Sequence, residues 1–324
     1  MKYNLNNAKI LVIGGAGFIG SFIVKELLKE PVKEVIIYDN FTRGKMRNIE
    51  ESLKDERCYI YPFGGDIRDI DILDKAMEGV DYVFHLAAMW LLHCKDFPRT
   101  AFEVNIAGTF NVLEACVKHN VKKLIYSSSA SVYGDAVEVP MTENHPFNNK
   151  NFYGATKISG EAMATAFNDR YGLNVIGLRY ANVYGPNQEQ NAVYTGVIPI
   201  MLNKIDAKEP ITINGDGSQA YDFIYVEDVA RANICALKSD RDFGFYNVGT
   251  GVQTSIKDLV NTILRLTNAD NEITYVPYAP DDARQFVKNR ILSPAKAERE
   301  IGFKYQYSLE EGLKRLIKWR KLNK

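Results

Sequence analysis

Ile10-Leu11-Val12-Ile13-Gly14-Gly15-Ala16-Gly17-Phe18-Ile19-Gly20 is the stretch whose reading decides the fold. A short β-branched run enters three glycines spaced GxxGxxG, and an amphipathic pattern follows at once. That order reads as strand, tight turn and helix. Gly14 permits the turn, Gly17 lets backbone amides approach an anion, and Gly20 lets the helix pack closely on the sheet. With Phe18 and Ile19, the turn forms a cradle for a dinucleotide pyrophosphate. Asp39 ends the next strand run, close to the ~20 residues at which a carboxylate meets the ribose hydroxyls. Its charge repels a 2′-phosphate and favours NAD, while Arg43 and Lys45 just beyond keep NADP open. Asp66 and Ile67 follow a third strand run and either border the adenine or form a solvated acidic loop.

Outward from this turn, strand runs at Lys9–Ile13, Val35–Tyr38, Cys58–Tyr61, Tyr82–His85, Lys123–Tyr126 and Val175–Leu178 alternate with helical patterns. The helices are expected at Ile19–Lys29, Ile70–Met77, Ala101–Lys118 and Tyr153–Tyr171. Such alternation predicts an α/β fold with a Rossmann-type doubly wound parallel sheet. Ligands of such sheets collect at the carboxyl ends of the strands, where His85 to Ala88, Ser127 to Ser131 and Asn182 also fall. After Tyr180 the pattern loosens, with Gly185-Pro186, Asn214 to Gly217 and Gly249 to Gly251 punctuating short elements. The expected division is a dinucleotide-binding domain over 1–180 and a smaller α/β substrate lobe over 181–324. The chain is expected to return to the first domain near 223–250, crossing at Phe223–Ala236. Two further helices are expected at Ile256–Thr267 and Leu309–Leu322.

Forty Lys plus Arg balance forty Asp plus Glu over 324 residues, so charge gives no basis for a nucleic-acid or membrane partner. Hydrophobic residues make up 46% of the chain, and no apolar run is long enough to span a bilayer. Met1 to Ala8 is polar, and Cys58, Cys94, Cys116 and Cys235 form no CxxC pair. Both features point to a cytoplasmic chain with free thiols and no metal site.

Tyr153 and Lys157 lie one helical turn apart. A tyrosine with a pKa near ~10 needs help to act as a base at neutral pH, and an ammonium on the same helical face favours the phenolate. The Ser127-Ser128-Ser129 run supplies a hydroxyl that can share the substrate's hydrogen bond. Alone, a Tyr-xxx-Lys pair is more often a surface tyrosine beside a solvated lysine. The glycine cradle and serine-rich strand end favour proton abstraction from an alcohol.

The ordered set Gly14–Gly20, Asp39-Asn40, His85 to Ala88, Ser127 to Gly134, Tyr153-xxx-Lys157 and Arg179 to Pro186 resembles the signatures of the extended short-chain dehydrogenase/reductase family, in particular its nucleotide-sugar epimerases. The match runs nearly end to end. The resemblance implies NAD as cofactor, a nucleotide sugar as substrate and a homodimer. Its four-helix bundle would use Ala101–Lys118 and Tyr153–Tyr171 from each subunit. It makes Ser129 the catalytic hydroxyl and Tyr153 the general base, with Lys157 orienting the nicotinamide ribose and lowering the tyrosine pKa. It places Asn40, Leu86, Ala87, Ala88, Ser127, Tyr180 and Val183 against the cofactor, and Ser131, Asn182 and Val197 against the substrate. Tyr184 would pack near the nicotinamide, and Asn105 reads as structural.

Dehydratases of the family carry an Asp-Glu pair after the catalytic hydroxyl, and decarboxylases a Glu at the second position. Here Ala130 and Ser131 stand there. The resemblance therefore favours a 4-epimerase, which oxidises the sugar at C4 and returns the hydride. A 4-dehydrogenase, a 4,6-dehydratase and a non-catalytic NAD-binding regulatory module are the alternatives. Three departures leave sugar and base open. Tyr221 stands where many relatives bind the diphosphate with Arg, leaving Arg284 and Arg290 as the candidate cations. The segment Met89 to Cys94 is bulky and apolar, with Trp90 a candidate sugar platform and His93 a candidate hydroxyl partner. Gln285 to Arg290 replaces a more acidic or glycine-containing stretch.

Overall fold

A computed structural model describes residues 2–189, 196–278 and 287–323. In chain order the first half runs β1 (Lys9–Ile13), α1 (Phe18–Leu27), β2 (Glu34–Tyr38), β3 (Cys58–Ile60), α2 (Ile70–Ala76), β4 (Tyr82–His85), α3 (Leu91–Asp96), α4 (Pro98–Ala101), α5 (Gly108–Lys118), β5 (Lys123–Ser129), α6 (Phe152–Tyr171) and β6 (Val175–Tyr180). The second half contains β7 (Asn182–Tyr184), α7 (Val197–Ala207), β8 (Ile211–Asn214), β9 (Ala220–Tyr221), β10 (Phe223–Tyr225), α8 (Val226–Lys238), β11 (Phe243–Val248), β12 (Thr254–Ser255), α9 (Ile256–Thr267), β13 (Ile273–Val276), β14 (Asn289–Arg290), α10 (Ala295–Ile301) and α11 (Leu309–Leu322).

Seven parallel strands form the main sheet in the order β11-β6-β5-β4-β1-β2-β3. Near-continuous apolar strands such as Lys-Ile-Leu-Val-Ile fit a sheet covered on both faces. Alternate residues of β1 serve two cores. Ile10 and Val12 pack with Val229 and Ala232 of α8, while Leu11 and Ile13 join Val112 and Leu113 of α5. A third core unites Met201 of α7, Ile213 of β8, Leu259 of α9 and Leu316 of α11 into the second lobe. The fold is thus the α/β Rossmann-type sheet with a smaller second lobe that the sequence pattern predicts.

The chain returns to the main sheet through α8, which covers it beside α1, and through β11, which pairs with β6, while β10 pairs with β7 in a separate two-stranded ribbon. One expectation needs correction. The single helix expected over Ala101–Lys118 is interrupted by a π-helical turn at Phe102–Ala107. That turn carries Asn105 inward, where its side chain accepts from Met89 N at 2.6 Å and donates to Met89 O at 3.0 Å and Thr156 Oγ1 at 3.1 Å. Asn105 therefore pins the segment after β4 to α6, a structural role. No described helix is long and apolar enough to cross a membrane, and the described residues contain no metal-binding cluster. The four cysteines are free.

Candidate active site

Gly14 sits at φ +83°, and its amide donates to Tyr38 O at 2.7 Å. A Cβ there would meet Ala87 N at 2.9 Å, and one on Gly20 would meet Gly14 O at 2.1 Å. The turn is therefore closed to side chains. Helix α1 starts at Phe18 without a side-chain cap or an acidic residue in its first turn. Its orphan amides and the positive end of its dipole suit the pyrophosphate of NAD.

Asp39 ties this turn to β2. Its two oxygens accept from Ala16 N at 2.9 Å and Phe41 N at 2.8 Å, and burial raises its pKa against the lowering effect of those amides. Ala87 packs behind Gly14, whereas Leu86 and Ala88 line the cavity. Asp66 lies beyond β3 and is paired with Arg68. Arg68 grips its carboxylate through Nε at 3.0 Å and Nη2 at 2.7 Å, in a shallow surface depression apart from the main cavity. The adjacent Ile67 is buried against α5, and the side chain of Asn40 turns towards Asp66 at 3.5 Å.

The main cavity, about 1090 Å3, runs from the glycine turn across the ends of β5 and β6 to the second lobe. It holds Ser127, Ser129, Ser131, Tyr153, Lys157 and Tyr180 together. Asn151 caps α6 by accepting from Gly154 N at 2.8 Å, which fixes Tyr153 in the first turn. Ser129 ends β5 and accepts from Ser131 N at 3.1 Å. Burial raises the Tyr153 pKa, while the Ser129 hydroxyl bonded to the phenol and the Arg43 guanidinium lower it. Lys157 Nζ lies 5.7 Å from the Tyr153 ring centre and donates to Ser127 O at 2.8 Å. Burial pushes its pKa down to about 8, and Cys94 and Glu161 act in the opposite direction. The Ser127 hydroxyl bonds Tyr180 Oη at 3.0 Å.

Arg43 reaches over the Trp90 ring at 5.6 Å, and Lys45 pairs with Glu189. These two cations thus cross the cavity mouth to its far wall. Trp90 lines that wall. On the short α3 Cys94 turns inward, within 3.4 Å of Met89 O, and His93 beside it lies within electrostatic reach of Arg43.

The far wall gathers Asn182, Val183, Val197 and a small sheet of order β12-β9-β14. In that sheet Tyr221 stands directly opposite Arg290. Tyr221 Oη donates to Val287 O at 2.9 Å, and the half-buried Arg290 donates through Nε to Gly134 O at 3.3 Å. A cation therefore stands one strand away from the position where Tyr221 replaces one. Arg284 lies outside the described residues.

Sequence reasoning missed Lys204 of α7, which lines the same wall, and Glu161, which lies behind Lys157. The spacing Lys157-xxx-Glu161 could have flagged the second. No local signal marks the first.

A Rossmann-type sheet with this turn defines a class, the dinucleotide-dependent α/β enzymes. Within that class the chain belongs to the NAD dependent epimerase/dehydratase family, which it matches over residues 10–249. A putative UDP-glucose 4-epimerase of Methanocaldococcus jannaschii is 37% identical, covering 97% of this chain and 99% of its own. The UDP-N-acetylglucosamine 4-epimerase of Methanobrevibacter ruminantium M1, in complex with UDP-N-acetylmuramic acid, superposes with a TM-score of 0.91 at 35% identity, covering 98% of this chain and 100% of its own. A dTDP-glucose 4,6-dehydratase of Streptomyces venezuelae with NAD bound reaches 0.89 at 29% identity, covering 97% of each chain. The protein is an NAD-dependent enzyme of this epimerase and dehydratase family.

Proposed function

We propose that the enzyme is a UDP-sugar 4-epimerase. One observation carries this reading. Among the described residues lining the cavity, Glu189 is the sole carboxylate, and it is paired with Lys45. Elimination of water across C5 and C6 needs an acid and a base beyond Tyr153. Ala130 and Ser131 supply neither at the end of β5.

Bound NAD supplies the hydride acceptor and donor. Tyr153 takes the C4 hydroxyl proton and later returns it, and the Ser129 hydroxyl holds the same oxygen. Lys157 orients the ribose beside them. Arg290 neutralises the diphosphate in place of a cation at Tyr221, with Asn182 and Val197 beside it. Incubation with UDP-glucose and UDP-N-acetylglucosamine, followed by chromatography of the sugars, is expected to give redox-neutral inversion at C4. A 4-keto-6-deoxy product, or a requirement for a second oxidant, overturns the reading.

The same reading includes a homodimer. Helix α5 buries Val112, Leu113 and Cys116 inward, while Phe102 and Phe110, each 43% exposed, face solvent. Phe110 stacks edge-on against Phe167 of α6, so one apolar face spans both helices. A second copy is its natural cover. Light scattering is expected to give twice the chain mass, and Phe102→Glu with Phe110→Glu a monomer.

A further inference from the structure

We propose that the buried Glu161–Arg179 pair is a positioning unit of the reaction, which holds the Ser127–Ser129 strand end in register with the Tyr153–Lys157 helix. The inference rests on the Tyr153 chemistry proposed above. Glu161 is 3% exposed and Arg179 4%. An ion pair at that depth stabilises no better than well-packed apolar residues, so stability alone does not account for it.

What the pair touches supplies a role. Glu161 lies on α6 four residues beyond Lys157 and eight beyond Tyr153, along one face of the helix. Its Oε1 accepts from Ser128 Oγ at 2.6 Å and Arg179 Nε at 2.8 Å, and its Oε2 from Arg179 Nη2 at 2.6 Å. Ser128 is the residue between the Lys157 acceptor, Ser127, and the catalytic candidate, Ser129. Arg179 stands directly across from Ser128 in the β5–β6 ladder. Its Nη1 donates to Tyr133 Oη at 2.7 Å, and that hydroxyl donates to Asn247 Oδ1 of β11 at 2.7 Å. One carboxylate thus fastens α6 to the ends of β5 and β6, and through Tyr133 to β11.

Two consequences follow at the reacting groups. The Ser129-to-Tyr153 distance is set by how α6 docks on β5, and small misplacements of such groups carry large rate costs. The carboxylate also raises the pKa of buried Lys157. The other titratable groups facing Lys157 are Tyr153 on its own helix, Tyr126 of β5, Cys94 of α3 and His85 of β4. Tyr126 and Tyr133 face Glu161 beside Arg179. Glu161 is the one carboxylate among the groups named.

Glu161→Gln keeps the shape and removes the charge. It is expected to lower kcat about tenfold or more while KM for the nucleotide sugar changes less than about threefold. The acid limb of the kcat–pH profile should move to higher pH. Ultraviolet difference titration against a Tyr153→Phe background should show a raised Tyr153 pKa, a readout independent of turnover. The double variant Glu161→Gln with Arg179→Gln removes both charges of the pair. It is expected to recover the melting temperature without recovering kcat or the pH profile. Recovery of all three would reduce the pair to a stabilising element and overturn the proposal. So would a folded Glu161→Gln with wild-type kcat and pH profile. Should Glu161→Gln fail to fold, Ser128→Ala cuts one hydrogen bond and leaves the pair intact. A kcat lowered about threefold at unchanged melting temperature supports the proposal, and an unchanged kcat overturns it. A wild-type enzyme inactive on every nucleotide sugar would remove the epimerase reading, while the Tyr153 titration would still test the pair.

Discussion

The two walls of the cavity are built from different materials. The cofactor wall is mostly backbone. It comes from one contiguous stretch, Gly14 to Gly20, whose close approaches leave no room for a Cβ at Gly14 or Gly20. The substrate wall is mostly side chain. Trp90, Asn182, Val197, Tyr221 and Arg290 reach it from the start of α3 and from β7, α7, β9 and β14. A wall of amides accepts few substitutions, whereas a wall of side chains accepts many. One NAD-binding scaffold can therefore serve several sugar chemistries, as the epimerase and dehydratase among its structural neighbours illustrate.

The contrast can be broken at its seam. Tyr153 belongs to both walls, and Tyr153→Phe is expected to lower kcat by roughly 10²–10⁴-fold while melting and NAD binding persist, as steady-state kinetics and fluorescence titration would show. Full activity in that variant would remove the catalytic assignment.

In the main sheet, pH should act through His85 at the end of β4. It is 1% exposed, and burial lowers its pKa from 6.5 to about 3. The unfolded chain takes up a proton below pH 6.5 that the folded chain refuses. Stability is thus flat above that value on this account and falls as pH drops towards 3. Urea unfolding should show about 3 kcal/mol lost between roughly pH 7 and pH 4 from this group, and His85→Asn should lack that component. Gly20→Val forces a side chain towards the Gly14 carbonyl. It is expected to cost about 1–3 kcal/mol in denaturant titrations and to weaken NAD binding, with no specific effect on the substrate wall.

The substrate wall should yield more gently. Arg290→Ala is expected to raise KM for the nucleotide sugar roughly tenfold with kcat nearly unchanged, since the contact holds a part of the substrate that does not react. Equal losses in kcat would show that the two walls are coupled more tightly than their construction implies.

The same division governs what could be read in advance. The glycine turn, the strand order up to β6 and the Ser129, Tyr153 and Lys157 group are legible because each is a short-range pattern. Turn geometry, strand period and helical spacing act over a few residues. What could not be read falls where side-chain direction or long-range pairing decides. His93 and Cys94 are neighbours, and only the seating of α3 turns the second inward. The pairing of Asp66 with Arg68, two residues on, is likewise a matter of side-chain direction. The π-helical turn at Phe102–Ala107 breaks a helix whose apolar pattern runs on without interruption.

By itself, then, the sequence determined a dinucleotide fold and pointed to the tyrosine, lysine and serine that share one cavity. Their identities follow from local backbone rules that any folded context must obey. Only the tertiary structure decided that Arg290 stands across from Tyr221, that Arg43 crosses to Trp90, and that Glu161 binds Arg179 behind the reacting groups. Those contacts join residues from different segments of the chain, and strand register and helix docking set them in place of any spacing along it.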